Sequence, residues 1–93
     1  MNLNQLHYFA KLAEVEHYTK AAEELSISQP SLSHAVSSLE KEIGTKLFEK
    51  QGRGVVLTKY GKIFKEYVDE AKKMTIEEIS KHIYGIKMSS LEE

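Results

Sequence analysis

Apolar residues recur along the first half of this chain at the spacing of a single helix face. Leu3, Leu6, Phe9, Ala10 and Ala13 follow at helical intervals, which predicts a first helix with one side in the core. Asn2 is placed to cap it, and Gln5 to return the bond. Glu16 and His17 interrupt the pattern, and a short second helix is predicted from Tyr18 or Thr19, carrying Ala21, Ala22 and Leu25. Ser26-Ile27 leaves room only for a turn. Ser28 is a natural N-cap, with Pro30 in the first turn, where a missing N–H costs little. Leu32, Ala35, Val36, Leu39 and Ile43 then recur at i, i+3, i+4, i+7 and i+11, while Gln29, Ser33, His34, Ser37 and Lys41 take the other side. This is a third helix. Gly44 stands where a left-handed residue would end it.

The period then changes. Lys46–Lys50 and Val55–Thr58 bracket Gln51-Gly52-Arg53-Gly54, which predicts a β-hairpin whose tip carries an arginine between two glycines. Thr58 can cap a final helix in which Tyr60, Phe64, Tyr67 and Ala71 align, and Ile79, Ile83 and Ile86 form a second row beyond it. The two rows are rotated by roughly 100°, so the helix is expected to serve two contacts, the first with its own core and the second with a partner helix. Ile76, Ile79, Ile83 and Ile86 are assigned to that dimer contact, because an uncovered row would leave a long apolar patch in water. Thr75-Ile76-Glu77-Glu78 also fits a capping box, so the alternative is a break near Met74 and a separate fifth helix.

Ninety-three residues allow one domain, and 41% hydrophobic with 29% charged residues is the balance of a folded globular protein. No stretch approaches the roughly 18 apolar residues that cross a bilayer, and no basic segment precedes an apolar run at the N-terminus, so a cytoplasmic protein without a membrane partner is expected. Cysteine is absent, which removes disulfides and thiolate metal sites. His7, His17, His34 and His82 show no metal-ligand spacing, and neither a metal nor a cofactor is expected. There is no nucleophile elbow, no phosphate-cradling glycine loop and no paired carboxylates in a cleft-like setting, so an enzyme is not expected.

The net charge of −1 argues at first sight against a polyanionic partner. The average conceals a division. Between Lys46 and Lys65 stand six basic residues (Lys46, Lys50, Arg53, Lys59, Lys62, Lys65) and one acidic residue, Glu49, whereas the rest of the chain holds seven basic and thirteen acidic residues.

A short helix, a tight turn, a polar-faced helix and a basic hairpin form the arrangement of a winged helix-turn-helix. Small polar side chains at the start of the third helix suit the major groove: Gln29 offers an acceptor and donors to adenine, and Ser31, Ser33 and Ser37 can bond bases or phosphates. His34 can donate to guanine or to a phosphate. Glycines let the hairpin tip approach a duplex closely, and Arg53 suits the negative potential of a narrow minor groove.

Gln5-Leu6, Phe9, Ala21-Ala22, Leu25, Ser28-Gln29-Pro30-Ser31-Leu32-Ser33, Leu39-Glu40, Gly44, Leu47-Phe48, Gly52-Arg53 and Leu57-Thr58 with Gly61 resemble, in order and spacing, the N-terminal domain of LysR-type transcriptional regulators. The match runs from residue 1 to about 65. The resemblance implies a mainly α fold, a winged helix-turn-helix of three helices and a two-stranded β wing followed by a long linker helix. It divides the chain into a DNA-binding domain over 1–58, with the helix-turn-helix at about 18–37 and the wing at about 46–58, and a linker and dimerisation helix over 59–93. It implies sequence-specific binding of double-stranded DNA at an inverted-repeat operator, with the helix that starts near Ser28 in the major groove and the wing arginine in the minor groove. The DNA-binding residues it points to are Thr19, Gln29, Pro30, Ser31, Ser33, His34, Ser37, Lys50 and Arg53. The second partner is another copy of the chain, paired antiparallel through the linker helix as a homodimer, with a tetramer left open for a full-length regulator.

The chain departs from the family pattern at three places. It has Glu16 and His17 where a small residue and serine are usual, His34 where arginine or lysine is usual, and Lys50 where arginine is usual. Family members continue into a much longer effector-binding domain, so inducer recognition is expected to lie outside these residues, with no small-molecule effector site in this chain. The competing class is a protein-interaction module built on the terminal helix, which the acidic balance outside the wing favours slightly.

Overall fold

The computed structural model describes residues 1–71. Its first three helices, α1 (Leu3–Val15), α2 (Tyr18–Leu25) and α3 (Gln29–Ile43), each begin at a side chain that accepts an otherwise unpaired backbone N–H. Asn2 Oδ1 accepts from the Gln5 N–H at 2.8 Å, and Gln5 Oε1 accepts from the Asn2 N–H at 3.2 Å. That is the capping box expected from the sequence. Ser28 Oγ accepts from the Ser31 N–H at 3.2 Å, with Pro30 in the first turn. At α2 the acceptor is His17 Nδ1, 3.3 Å from the Lys20 nitrogen. Caps of this kind each contribute about 1 kcal/mol. The helices end on left-handed residues, Glu16 at φ 60°, Ser26 at φ 58° and Gly44 at φ 93°.

An antiparallel hairpin follows, β1 (Phe48–Gln51) and β2 (Gly54–Leu57), and then α4 (Lys59–Ala71). Phe48 pairs with Leu57 and Gln51 with Gly54, so the loop is only Gly52-Arg53, shorter than the four-residue tip that the sequence suggests. Gly52, at φ 60°, supplies the positive φ that a two-residue hairpin loop requires at its first position. Thr58 Oγ1 accepts from the Gly61 N–H at 3.0 Å and starts α4, as expected. Three helices carrying a two-stranded wing, followed by a fourth helix, form a winged helix-turn-helix. Among the described residues no helix is long and apolar enough to cross a membrane.

The core gathers around Phe9. Its ring meets Phe64 edge-on at 4.9 Å and Phe48 at 5.3 Å, and Leu12, Leu32, Val36, Leu39 and Leu47 are fully buried with it. Ala21 and Ala22 are buried too, which lets α2 lie close against its neighbours. Two expected core positions face outward. Leu3 is 54% exposed, because at 100° per residue it lies about 120° from Phe9, whereas Leu6 and the overlooked Leu12 lie within about 60° of it. Tyr60 is 52% exposed, because α4 presses Gly61, Phe64 and Val68 inward. A Cβ on Gly61 would collide with the Leu47 carbonyl oxygen, and this contact turns Tyr60 away. Ile76, Ile79, Ile83 and Ile86, with the choice between a continuous helix and a break near Met74, lie outside the described residues.

Candidate nucleic-acid interface

Both sides of the wing are bound to the helical layer through backbone N–H groups, one to a main-chain carbonyl and the other to a side-chain carboxylate. At β2, the Val55 N–H donates to the Glu16 carbonyl at 3.0 Å. A Cβ on Gly54 would overlap that same carbonyl oxygen, so only glycine permits this approach. At β1, Glu40 Oε2 accepts from the Leu47 N–H at 2.7 Å and from the Phe48 N–H at 3.3 Å. Below the hairpin, the Thr58 N–H donates to the Leu47 carbonyl at 2.9 Å and Thr58 Oγ1 donates to the Lys46 carbonyl at 2.7 Å. The hairpin is therefore held at a set angle to α2 and α3.

That angle opens a cleft of about 370 Å³ between the start of α2, the start of α3 and the wing. His17, Tyr18, Thr19 and Gln29 line one side, and Lys50, Arg53, Gly54 and Val55 the other. Four of the nine expected DNA-binding residues, Thr19, Gln29, Lys50 and Arg53, thus meet in one place across three elements. Pro30, Ser31, Ser33, His34 and Ser37 lie on α3 outside this cleft. Eight of the nine are exposed; Ser33 is half-buried.

Polar groups in this region are partly oriented in advance. Thr19 Oγ1 donates to Gln29 Oε1 at 3.2 Å, so the carboxamide is steadied and its N–H₂ donors are left for a ligand. Ser28 Oγ donates to Ser31 Oγ at 2.8 Å while accepting from the Ser31 N–H, which leaves the Ser31 O–H available. The basic stretch divides in use. Lys46 lies 3.7 Å from Glu40 and Lys65 pairs with Asp69 at 2.7 Å, whereas Lys50 and Arg53 have no ion-pair partner among the described residues. Both are exposed, so the wing side of the cleft carries two positive charges, and the positive end of the α2 dipole lies in the opposite wall. Burial pushes the half-buried Tyr18 phenol above its ordinary range, and the Glu40 charge pushes it further.

Sequence reasoning missed three contributors. His17 was read only as an interruption, although a side-chain acceptor three residues before the Lys20 nitrogen is a cap signal. Glu40 lies about 80° from Leu32 on the helical wheel, at the edge of the apolar stripe, and that phase marked it for burial. Glu16 acts through its carbonyl, which leaves no trace in residue type.

The chain is similar to known proteins over this same region. Residues 3–62 match the model of the bacterial regulatory helix-turn-helix proteins of the lysR family. Over 64 residues the chain is 50% identical to the uncharacterized HTH-type transcriptional regulator YybE of Bacillus subtilis (strain 168), covering 69% of this chain and 22% of that protein. Among solved structures, the BenM_DBD/benA site 1 DNA complex aligns over 100% of both chains with a TM-score of 0.70 and 33% identity. Full-length CbnR complexed with its target DNA aligns with a TM-score of 0.74 and 34% identity, over 78% of this chain and 25% of that one. The chain spans less than half the length of the curated relatives it matches.

Proposed function

The chain belongs to the lysR family of bacterial regulatory helix-turn-helix proteins, and from that premise we propose that it binds double-stranded DNA sequence-specifically as the DNA-binding part of a transcription regulator. In this reading residues 1–58 form the DNA-binding domain and 59–93 the linker through which two copies pair, with Ile76, Ile79, Ile83 and Ile86 at the contact. Two copies match an inverted-repeat operator, because a two-fold protein presents its helices to half-sites about one helical turn apart.

The start of α3 enters the major groove. Gln29 reads a base edge, with Thr19 steadying it; Pro30 offers apolar surface to a thymine methyl; Ser31, Ser33, His34 and Ser37 donate to bases or phosphates. Lys50 neutralises a backbone phosphate, and Arg53 enters the adjacent minor groove, where negative potential is concentrated. The observation that carries the proposal is the cleft in which Thr19 and Gln29 face Lys50 and Arg53, two cations with no ion-pair partner among the described residues. The two neighbours solved on DNA support it.

Selection of bound sequences from a random duplex pool tests it. An enriched inverted repeat is expected, with affinity for the winning duplex falling linearly on a log scale as salt rises. A pool that emerges without any common sequence would contradict the proposal.

A further inference from the structure

Glu40 is the charged residue among the buried set of the described residues, with its side chain only 10% exposed. A carboxylate so placed is unfavourable unless donors meet its lone pairs. Here they do, and they come from one segment. The Glu40 carbonyl accepts from the Gly44 N–H at 2.8 Å and the Thr45 N–H at 3.2 Å, and its Oε2 accepts from the Leu47 and Phe48 N–H groups. Of these four backbone donors, Leu47 and Phe48 meet the carboxylate itself, while Gly44 and Thr45 close the end of α3 on the Glu40 main-chain carbonyl. Lys46, 3.7 Å from Oε1, supplies the counter-charge from the same segment.

Glu40 shares its helix with Gln29, Ser33 and Ser37, while the segment it gathers leads directly into β1 and on to Arg53. We propose that Glu40 is a positioning residue that sets the angle between α3 and the wing, so that Gln29 and Arg53 engage the same duplex at once. It touches no DNA itself. The inference rests on the proposed DNA-binding role of α3 and the wing. Without the carboxylate, two buried N–H groups at the root of β1 lose their acceptor, while the Val55–Glu16 bond still tethers β2. The hairpin then persists, but its direction is no longer fixed by α3.

The test measures the affinity of the full chain for its selected duplex in four forms: unchanged, Arg53→Ala, Glu40→Ala and the double variant, each corrected for folded fraction by circular dichroism. Arg53→Ala should weaken binding about tenfold in the unchanged background and less than about threefold beside Glu40→Ala. Glu40→Gln, whose carboxamide oxygen still accepts both N–H groups, should keep most of the Arg53 effect. Hydroxyl-radical footprints should lose the minor-groove protection in Glu40→Ala, while protection of guanine N7 from dimethyl sulfate in the major groove remains. If Glu40→Ala does not fold, Glu40→Asp replaces it, its carboxylate being one methylene too short to hold both donors.

An Arg53→Ala loss of about tenfold in both backgrounds, or Glu40→Gln behaving like the alanine variant, would overturn the proposal. Amide exchange without DNA separates it from the wing's role on DNA. Faster exchange at Leu47 and Phe48 in Glu40→Ala, with α1 protection unchanged, is expected even if Arg53→Ala proves harmless, in which case the minor-groove role of Arg53 fails instead. Unchanged exchange at Leu47 and Phe48 overturns the positioning role by itself.

Discussion

The backbone N–H of Val55 donates to the carbonyl of Glu16 at 3.0 Å, joining the second wing strand to the left-handed residue that ends α1. Gly54 sits over the same carbonyl with no space for a side chain. Gly54→Ala should therefore force the wing away from α2, at a cost of about 1–3 kcal/mol. A urea titration followed by circular dichroism reads the loss, and DNA affinity should fall with it. A variant as stable as the parent would show that the strand can move aside freely.

Thr19 holds the carboxamide of Gln29 through a hydrogen bond of 3.2 Å. Gln29→Ala should cost about 1–3 kcal/mol in binding and relax the preference at one base pair. Thr19→Val keeps the shape and removes the hydroxyl, so it should relax the same base pair by a smaller amount, about 0.5–1.5 kcal/mol. Competition binding against single-base operator variants separates the two. A relaxed position that differs between the variants would mean that Thr19 does not act through Gln29.

His17 caps α2 through its ring nitrogen Nδ1. His17→Ala should lower stability by about 0.5–2 kcal/mol, and His17→Ser should recover most of it, because serine supplies an equivalent acceptor. Thermal melts of the three proteins give the comparison. Failure of serine to rescue would assign the loss to packing instead.

The Tyr18 phenol titrates above its ordinary value of 10.0, pushed by burial and then by Glu40. The folded state therefore favours the neutral phenol. This contribution to stability is complete below the unfolded value and is lost as pH rises through the folded one. Tyr18→Phe should flatten the decline in unfolding free energy above about pH 10. An unchanged alkaline slope would place the titrating group elsewhere.

Local features were legible in the sequence because their causes are local. Asn2 with Gln5, Ser28 with Ser31 and Thr58 with Gly61 each close a bond three residues long, and Gly44 ends α3 where expected. The apolar stripe of α3 gave Leu32, Val36 and Leu39 as core directly. Leu3 was misplaced because it lies about 120° from Phe9 on the helical wheel, and Tyr60 because the close approach of Gly61 to the Leu47 carbonyl turns it outward. The wing's attachment was hidden, since Val55 meets Glu16 through backbone atoms alone and Gly54 is the only residue type that hints at it. The candidate interface was visible residue by residue. That Thr19, Gln29, Lys50 and Arg53 share one cleft depends on the folded path of the chain, which residue types along a sequence do not show.

The most direct measurement is equilibrium binding of the 93-residue chain to its selected duplex and to a scrambled duplex of the same composition, from 50 to 200 mM salt. Preference for the selected duplex by roughly 1,000-fold or more is expected, and Arg53→Ala should reduce the salt slope by about one. Equal affinity for both duplexes, with a slope untouched by Arg53→Ala, would contradict a sequence-reading helix and a DNA-bound wing together.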